Sequence, residues 1–341
     1  MFFKSRKKTS VLAIGSVTKD IFLPTNEGII VETPEDLLSQ RKISFELGAK
    51  YHIKDRHETS GGCSINVGVG LAKLGETVEC YSPIGDDLTG RWIKEELEKC
   101  SIDTKHLVTE EGLLSDESSI IVDVNSGERT IFSSHNASEK FQIQNDRIGN
   151  PQWIFIGDLS GDWRNNLDII IEAAKKKNIS LAFNPRQKTI HDDAKKIIET
   201  ISNVELLFVN KDEAIEIVSV VNGIEKSELN DEKYLVEQLE KMGAKIVVLT
   251  DGTRGAWGFD GKEFLHADAL LREAVDTTGA GDAFTSGFFA AHIKGKELSE
   301  CLKWGIANSS SSVMQYGGQK GLLGEDEIVE FASRVAIEVL L

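Results

Sequence analysis

Residues 276–284 read Asp-Thr-Thr-Gly-Ala-Gly-Asp-Ala-Phe, and Thr-Ser-Gly-Phe-Phe-Ala-Ala-His follows at 285–292 with the composition of an apolar helix. The small residues at 279–281 leave little beyond backbone, so the N–H groups from Gly279 to Asp282 can approach a ligand closely. A helix that begins here adds unpaired amide donors and the positive end of its dipole. The stretch therefore predicts an anion site at the start of a helix.

Asp282 stands among these amides, where a carboxylate would repel a bound phosphate unless it has another role. One hypothesis is that Asp282 takes the proton from a hydroxyl group that attacks a bound phosphoryl group. The alternative is that Asp282 only caps the helix, as Asp often does. The motif alone favours capping, so the chemical hypothesis depends on what the rest of the chain brings to the same place.

Composition restricts the classes of function. The chain has 341 residues, is 40% hydrophobic and 28% charged, and carries a formal net charge of −16. It is long enough to bury a core, and its acidic balance argues against a nucleic-acid partner, which would need clustered Lys and Arg. The basic residues Lys4, Arg6, Lys7 and Lys8 are predicted to belong to a disordered tail at residues 1–9.

The cysteines and the hydropathy pattern indicate a cytoplasmic protein. Cys63, Cys80, Cys100 and Cys301 are far apart and lack CxxC spacing, so they predict neither a zinc site nor a disulfide framework. No apolar stretch is long enough for a signal sequence or a membrane span, and we expect no membrane partner.

Predicted strands alternate with predicted helices along most of the chain. The strands are Ser10–Ser16, Val78–Ser82, Trp153–Gly157, Ser180–Asn184, Leu206–Val209 and Ile246–Thr250; the helices after residue 137 are Arg164–Lys177, Asp192–Ile201 and Tyr234–Met242. This alternation predicts a parallel sheet covered on both faces, with right-handed crossovers. Such sheets bind ligands at the carboxyl ends of their strands.

Two segments depart from this pattern. Residues 21–60 and 113–136 are polar and broken into short extended pieces, apart from a helix pattern at 35–40. Such excursions can pair into one small sheet, and a sheet over a crevice is a candidate lid. The predicted α/β core comprises residues 10–20, 61–112 and 137–341.

Polar residues follow several predicted strands. Asp20 comes after the first, Asn210 and Glu213 after Leu206–Val209, and Thr250 and Gly252 after the strand at 246–249. Each has a structural alternative: a turn for Asp20, a capping pair for Asn210 with Glu213, and a hairpin turn for 250–255. Together with residues 276–282 they offer amide donors, a partner for a hard cation in Glu213, and a base, which phosphoryl transfer requires.

A third glycine-rich segment spans residues 61–75. Gly61 and Gly62 form a turn before a helix, and Asn66 can point its amide into the space beside them. The alternative for Asn66 is a buried amide whose hydrogen bonds are all satisfied within the fold.

The same segment bears on an alternative class, a dinucleotide-dependent oxidoreductase. Gly68, Gly70 and Gly75 loosely resemble a dinucleotide-binding fingerprint. Their spacing is GxGxxxxG and they lie inside the predicted helix, which favours close helix packing instead.

The chain from about residue 10 to 335 resembles the ribokinase-like, PfkB-type family of carbohydrate and nucleoside kinases, and its motifs follow one another along the chain in the family's order. Gly61-Gly62 with Asn66 resembles the family's first signature and residues 276–282 its second, and Asn210 with Glu213 is similar to its NxxE element. The resemblance implies a ribokinase-like α/β fold: a doubly wound, mostly parallel sheet flanked by helices on both faces, with a small β-sheet lid.

The resemblance also implies a role for each matched residue. Asp282 would be the general base, and Gly279, Ala280 and Gly281 the anion hole. The implied substrate-binding residues are Asp20, Gly61, Gly62, Asn66 and Asp158, and the implied nucleotide-side residues are Asn210, Glu213, Thr250, Gly252 and Asn308. Glu213, with Asn210, would hold Mg²⁺ through water, and Asp276 and Thr278 resemble positions that hold a monovalent cation, K⁺, in many members.

The implied activity is ATP-dependent phosphorylation of a hydroxymethyl group of a sugar, as in ribokinases and fructokinases, with ATP and Mg²⁺ as cofactors. A nucleoside (adenosine-like) kinase and a non-catalytic sugar- or nucleotide-sensing module on the same fold are the alternatives. Uncovered lid strands also suggest a homodimer through the lid.

Two departures from the family pattern concern the acceptor. Cys63 stands where a Lys often follows the paired glycines in ribokinase proper, which argues against ribose. The absence of Lys and Arg between Gly61 and Asn66 argues against a phosphorylated sugar, whereas Arg129 on the lid hairpin argues for one.

Overall fold

The computed structural model describes residues 9–33, 41–221, 223 and 227–340. The predicted disordered tail at residues 1–9, apart from Thr9, and the predicted helix at 35–40 lie outside the described residues. Thr9 is buried, and its N–H donates to Oε2 of Glu76 at 2.9 Å. Among the described residues, no helix combines the length and the apolar character that crossing a membrane requires.

Strands supply the central framework. They are β1 (Ser10–Ile14), β2 (Thr18–Thr25), β3 (Ile29–Glu32), β4 (Arg41–Ser44), β5 (His57–Gly61), β6 (Thr77–Tyr81), β7 (Pro83–Gly85), β8 (Ile102–Asp103), β9 (Val108–Glu110), β10 (Asp116–Asp123), β11 (Arg129–Ser134), β12 (Trp153–Ile156), β13 (Ser180–Phe183), β14 (Leu206–Asn210), β15 (Ile246–Thr250), β16 (Ala256–Phe259), β17 (Phe264–Ala267) and β18 (Ile337–Val339).

Helices cover the sheet. They are α1 (Cys63–Lys73), α2 (Leu88–Lys99), α3 (Trp163–Lys177), α4 (Gln187–Ile201), α5 (Lys211–Ser219), α6 (Glu232–Lys241), α7 (Ala280–Ile293), α8 (Leu298–Ser312) and α9 (Glu325–Ala332). α4 begins five residues before its predicted start and contains one residue with non-helical backbone angles, Asp193.

The main sheet has ten strands in the order β18-β17-β16-β15-β14-β13-β12-β1-β6-β8. The pairings from β15 to β8 are parallel, and the three pairings from β15 to β18 are antiparallel. The predicted parallel sheet is therefore correct for its central part. The antiparallel edge begins at the turn after β15, at the place where the sequence offers a hairpin turn.

Two hydrophobic layers sandwich this sheet. Val11 and Ala13 of β1 face the cluster that includes α1, α2, α7 and α8, whereas Leu12 and Ile14 face the cluster under α3 to α6. Alternate residues of one strand thus bury opposite faces, and a strand covered on both faces is apolar throughout. This arrangement leaves the carboxyl ends of the strands free for polar residues.

A separate sheet of four strands, in the order β11-β10-β2-β5, stands beside these carboxyl ends. It includes Asp20, which lies within β2 and not in a turn after β1, because β2 pairs with β10 and β5 from Thr18 onward. Gly61, which the sequence analysis assigns to the core, ends β5. The two predicted excursions do pair into this sheet, to which the first contributes most of β2 and β5 and the second β10 and β11. Among the described residues, β3 and β4 of the first excursion pair only with each other.

Candidate active site

A cavity of about 590 Å³ lies between the small sheet and the carboxyl ends of the central strands. Its wall brings together the ends of β13, β14 and β15, the start of α1, the start of α7 and the inner face of the small sheet. The volume falls in the range of pockets that bind small molecules, about 300–1,000 Å³. Distant segments of the chain meet here because parallel strands present their carboxyl ends at one edge of the sheet.

The start of α7 forms one wall of the cavity. Gly279 precedes the helix with a φ of 74°, a conformation that a side chain would strain. The N–H groups of Gly281 and Asp282 have no hydrogen-bond partner among the described residues. A Cβ atom added at Gly281 would have nothing within 4 Å, so the space above these amides is open. The backbone therefore fits an anion here, as the sequence predicts.

Asp282 faces this cavity and is half-buried. Its Oδ2 accepts a hydrogen bond of 2.8 Å from Nδ2 of Asn66. Burial raises the pKa of Asp282, while the charge of Arg186 and the hydrogen bond from Asn66 act in the opposite direction. A carboxylate balanced in this way can accept a proton from a neighbouring hydroxyl group.

Asn66 is held from its other side by Gln319. The Nε2 atom of Gln319 donates to Oδ1 of Asn66 at 3.0 Å and to the carbonyl oxygen of Ser60 at 2.6 Å. These bonds fix which end of the Asn66 amide carries the oxygen, and so direct its nitrogen toward Asp282. Sequence reasoning missed Gln319, which lies outside the quoted motifs.

Asp20 brings a second carboxyl group to the cavity from β2. Its Oδ1 accepts a hydrogen bond of 2.8 Å from the hydroxyl of Thr18, and burial raises its pKa. A side chain at Gly61 would overlap the carboxylate of Asp20. Gly61 does not line the cavity, unlike Gly62; its lack of a side chain leaves room for Asp20.

Asn210 and Glu213 form a reciprocal cap at the start of α5. The Oδ1 atom of Asn210 accepts from the N–H of Glu213, and Oε2 of Glu213 accepts from the N–H of Asn210, each at 2.9 Å. Both residues also line the cavity, so the capping alternative and the functional hypothesis are compatible.

The electrostatic environment of Glu213 is unusual. The side chain has only 7% of its surface exposed, and burial raises its pKa to about 7. No Lys or Arg of the described chain forms a salt bridge with it. Carboxylate oxygens are the ligands that Mg²⁺ prefers, and a cation here would offset the cost of burying the charge. The described residues contain no cluster of three or more His, Cys, Asp or Glu that could form an all-protein metal site.

Arg186 and its neighbours follow β13, and the sequence analysis missed them. An Nη atom of Arg186 lies 3.8 Å from Oδ2 of Asp158, and both line the cavity. The thiol of Cys63 donates to Oδ1 of Asn184 at 3.3 Å, and burial raises its pKa so that it stays a neutral thiol. The rule that polar residues after parallel strands share one edge would have identified Asn184 and Arg186.

The small sheet supplies the opposite wall. Thr18 and Asp20 of β2 and Ser118 and Ile120 of β10 face the cavity, as do residues 129, 131 and 133 of β11. Nη1 of Arg129 donates to the hydroxyl of Thr277 at 2.7 Å, which joins this sheet to the loop before α7. The alternation follows the two-residue period of a strand.

Besides Gly61, three predicted site residues lie outside the cavity lining. Asn308 is fully buried, and its amide bonds with Ala283, Ser286 and Leu323, so these contacts use its amide within the fold; its proximity to adenine stays a prediction. Gly252 begins the turn after β15, beside Thr250, which does line the cavity. Asp276 has 0% exposure.

Asp276 organises the loop that precedes α7. Its Oδ1 accepts from the N–H of Thr278 at 2.9 Å and from the Thr278 hydroxyl at 2.7 Å, and its Oδ2 accepts from the N–H of Gly317 at 2.9 Å. A carboxylate can accept about four hydrogen bonds, so three of these sites are in use. The K⁺ site at Asp276 and Thr278 stays a prediction.

The chain resembles known proteins in both sequence and fold. A model described as "pfkB family carbohydrate kinase" matches residues 37–323. The ATP-dependent 6-phosphofructokinase of Thermoanaerobacterium thermosaccharolyticum is 27% identical over 286 residues, covering 81% of this chain and 85% of that protein. The ribokinase of Haemophilus influenzae is 26% identical over 278 residues, covering 80% and 86%.

A solved structure confirms the predicted fold. The nucleoside kinase of Methanocaldococcus jannaschii, an archaeal member of the ribokinase family, superposes with a TM-score of 0.75 over 96% of this chain and 99% of that chain, at 22% identity. The ribokinase-like α/β architecture predicted from the sequence is therefore correct.

Proposed function

The chain belongs to the pfkB family of carbohydrate kinases, and on this premise we propose that it transfers the γ-phosphoryl group of ATP to a hydroxymethyl group of a sugar. The observation that carries the proposal is the position of Asp282. Its carboxylate lies beside the unpaired N–H groups at the start of α7 and in the same cavity as Asp20 and Asn66. A base, anion-binding amides and hydroxyl-binding groups are thus combined in one cavity, as phosphoryl transfer to an alcohol requires.

The proposed roles follow from these contacts. Asp20 and Asn66 bind ring hydroxyls of the acceptor, which places its hydroxymethyl group next to Asp282. Asp282 accepts the proton as that hydroxyl attacks. The N–H groups of Gly281 and Asp282 donate to oxygens of the transferred group, and the small sheet excludes water. Most of the rate enhancement then comes from positioning.

Glu213 and Asn210 face the cavity at the start of α5, and the proposal assigns them to the magnesium–nucleotide side. A magnesium ion there would neutralise charge on the phosphates. Thr250 is the proposed nucleotide contact from β15. The buried carboxyl group of Glu213, with its raised pKa, supports this assignment because a nearby cation would favour its charged form.

A nucleoside is the second candidate acceptor. The fold matches that of a nucleoside kinase over nearly the whole chain, although at 22% identity this match shows the fold alone. A nucleoside would present the same hydroxymethyl group to Asp282, so both candidates use the same chemistry.

Three further expectations complete the proposal. K⁺ activates the enzyme through Asp276 and Thr278. The test is to measure the rate of ADP release with KCl in the buffer and again with NaCl in its place.

A homodimer forms through the small sheet, whose edge strand β11 exposes Ile131 and Phe132. Light scattering on the purified chain gives the mass of the particle and so tests this expectation. The compartment is the cytoplasm, in keeping with four free thiols, and cell fractionation tests it.

The activity is tested by coupled measurement of ADP release with MgATP and a panel of acceptors: D-ribose, D-fructose, D-fructose 6-phosphate, cytidine and adenosine. The proposal expects acceptor-dependent ADP release with at least one sugar. Release with a nucleoside alone would select the second candidate. No acceptor-dependent release across an extended panel of sugars and nucleosides, by a folded protein that binds ATP, would contradict the proposed function.

A further inference from the structure

His135 is a cavity residue that the proposed reaction does not yet use. It directly follows β11, in which residues 129, 131 and 133 face the cavity, and it continues that series by the two-residue period of the strand. Its side chain is 38% exposed, and this exposed part contributes to the cavity wall. The imidazole is therefore available to a molecule bound in the cavity.

The orientation of this ring is set by Asp116. Nδ1 of His135 lies 3.1 Å from Oδ2 of Asp116, the residue at the start of the neighbouring strand β10. Asp116 is 1% exposed and also accepts hydrogen bonds from the N–H groups of Asn136 and Ser138 and from the Ser138 hydroxyl. These bonds hold the carboxylate in place. Because Nδ1–H donates to Asp116, Nε2 is the ring nitrogen left for a ligand.

From this geometry we propose that His135, oriented by Asp116, is an acceptor-binding residue whose Nε2–H donates a hydrogen bond to an oxygen of the acceptor other than the one that is phosphorylated. The inference rests on the proposed kinase function and adds a specificity determinant to it. The chemical class it selects is an acceptor with a carbonyl, carboxylate or phosphate oxygen, or a hydroxyl oxygen that accepts a hydrogen bond, at the end that faces the small sheet.

The charges around His135 favour its protonated form. The hydrogen bond to Asp116 raises the pKa of His135, and the carboxylates of Asp116, Asp158 and Glu139 act in the same direction. Arg186 lines the cavity as a fixed positive charge, close to Asp158. A protonated ring donates from both nitrogens, so one bond goes to Asp116 and the other to the acceptor. Acceptor binding should therefore weaken as the pH rises through the pKa of His135.

The kinetic test compares the full-length chain with H135A, H135Q and D116N. The acceptor is whichever of D-ribose, D-fructose, D-fructose 6-phosphate and cytidine gives the highest kcat/KM with the wild type. H135A should raise the KM for that acceptor by ~10-fold or more, the loss of a hydrogen bond from a charged donor, with the KM for ATP changed less than about twofold. H135Q, which keeps an N–H donor without a charge, should recover part of the affinity and remove the pH dependence of the acceptor KM.

D116N tests the orientation of the ring independently. Loss of the carboxylate should lower the pKa of His135 and raise the acceptor KM at neutral pH while the imidazole is still present. A purely structural role for His135 would lower the thermal midpoint of H135A and leave the acceptor KM unchanged. That result, in a variant that saturates with ATP as the wild type does, would overturn the inference.

A binding measurement separates this inference from the proposed function. The imidazole proton signals of the wild type, assigned with H135Q, are followed by NMR as each of the four compounds is added. We expect one compound to shift the His135 signal. If the wild type released no ADP with any of them, the proposed function would be in question, and a His135 signal unmoved by all four would refute the inference on its own.

Discussion

The amide nitrogen of Asn66 lies 2.8 Å from Oδ2 of Asp282, although 216 residues separate them in the sequence. This contact joins the two glycine-rich motifs, one at the start of α1 and the other at the start of α7. The amide donates to the charged form of the carboxyl group and so opposes the effect of burial on the pKa of Asp282. Asn66 therefore contributes to the base directly, in addition to its proposed contact with the substrate.

Asp282→Asn should reduce turnover by at least ~10²-fold, the lower end for removal of a general base, while nucleotide binding survives. The matched control is Asp326→Asn, which changes an exposed aspartate in the first turn of α9 and should have wild-type activity. Coupled ADP release and ATP titration measure the two properties. Comparable turnover by Asp282→Asn and the wild type would remove Asp282 from the mechanism.

Gly281→Ala should separate activity from stability. A Cβ atom at Gly281 has nothing within 4 Å, so the thermal midpoint should stay the same or rise slightly, as for an alanine introduced into a helix. The methyl group would occupy the space above the unpaired N–H groups and hinder an anion there. The value of kcat should therefore fall, up to the ~10²–10³-fold loss that follows removal of one donor of an anion hole. Thermal unfolding and ADP release are the measurements.

Gly279→Ala is the contrasting variant for the same loop. Gly279 has a φ of 74°, and an added Cβ would lie 2.6 Å from Cα of Gly318. This variant should lose both stability and activity. Wild-type activity in Gly281→Ala would show that no anion binds at these amides.

The sequence predicted which residues lie at the same edge of the sheet, because that depends on the order and direction of the strands. Parallel strands bring their carboxyl ends to one edge, which is why Asp158, Asn210 and Thr250 meet in one cavity. The same rule covers Arg186, which was missed because the residues after β13 match none of the motifs considered.

Side-chain direction was harder to predict, as Asn308 shows. The family resemblance implies a nucleotide-side role for Asn308, but α7 and α8 approach so closely that a side chain at Gly287 would overlap the carbonyl of Trp304. Asn308 faces this contact and bonds with Ala283 and Ser286 of α7. The distance between two helices depends on how their side chains pack against each other, and the residue pattern of one helix does not predict it.

Gln319→Met should weaken the hydrogen bond from Asn66 to Asp282 and so make Asp282 less effective as a base at low pH. Without Gln319, the carbonyl of Ser60 and Oδ1 of Asn66 lose their donor, at a cost of about 1–3 kcal/mol in the free energy of unfolding. A less ordered Asn66 would also donate less to Asp282. The pKa of Asp282 would then rise, so the acid limb of the pH profile of kcat should move to higher pH.

The control for this effect is Gln315→Met, an exposed residue of the same segment. It should leave both the unfolding free energy and the pH profile unchanged. A purely structural role for Gln319 predicts lower stability with an unmoved acid limb, and that outcome would contradict the connection to Asp282.

Glu213→Gln should stabilise the ligand-free protein and impair the enzyme. Burial raises the pKa of Glu213 to about 7 from its ordinary value of 4.5. Because the folded state holds this proton more tightly, the stabilising effect of the protonated group is complete below pH 4.5 and is lost as the pH rises through about 7. Above pH 7 the buried charge costs on the order of 3 kcal/mol, which Gln avoids while it still accepts the N–H of Asn210.

The thermal midpoint of ligand-free Glu213→Gln should therefore exceed that of the wild type at pH 8 and approach it near pH 4.5. The variant should need a higher Mg²⁺ concentration to reach half of its maximal rate, and its kcat should fall, because a neutral amide is a poorer ligand for a hard cation than a carboxylate. The matched control is Glu327→Gln, which changes an exposed glutamate at the same position of the cap of α9. Because Glu327 is exposed, its ionised form carries no comparable burial cost, and the control should gain no stability at pH 8. If Glu213→Gln kept the wild-type Mg²⁺ dependence, Glu213 would not belong to the magnesium side of the site.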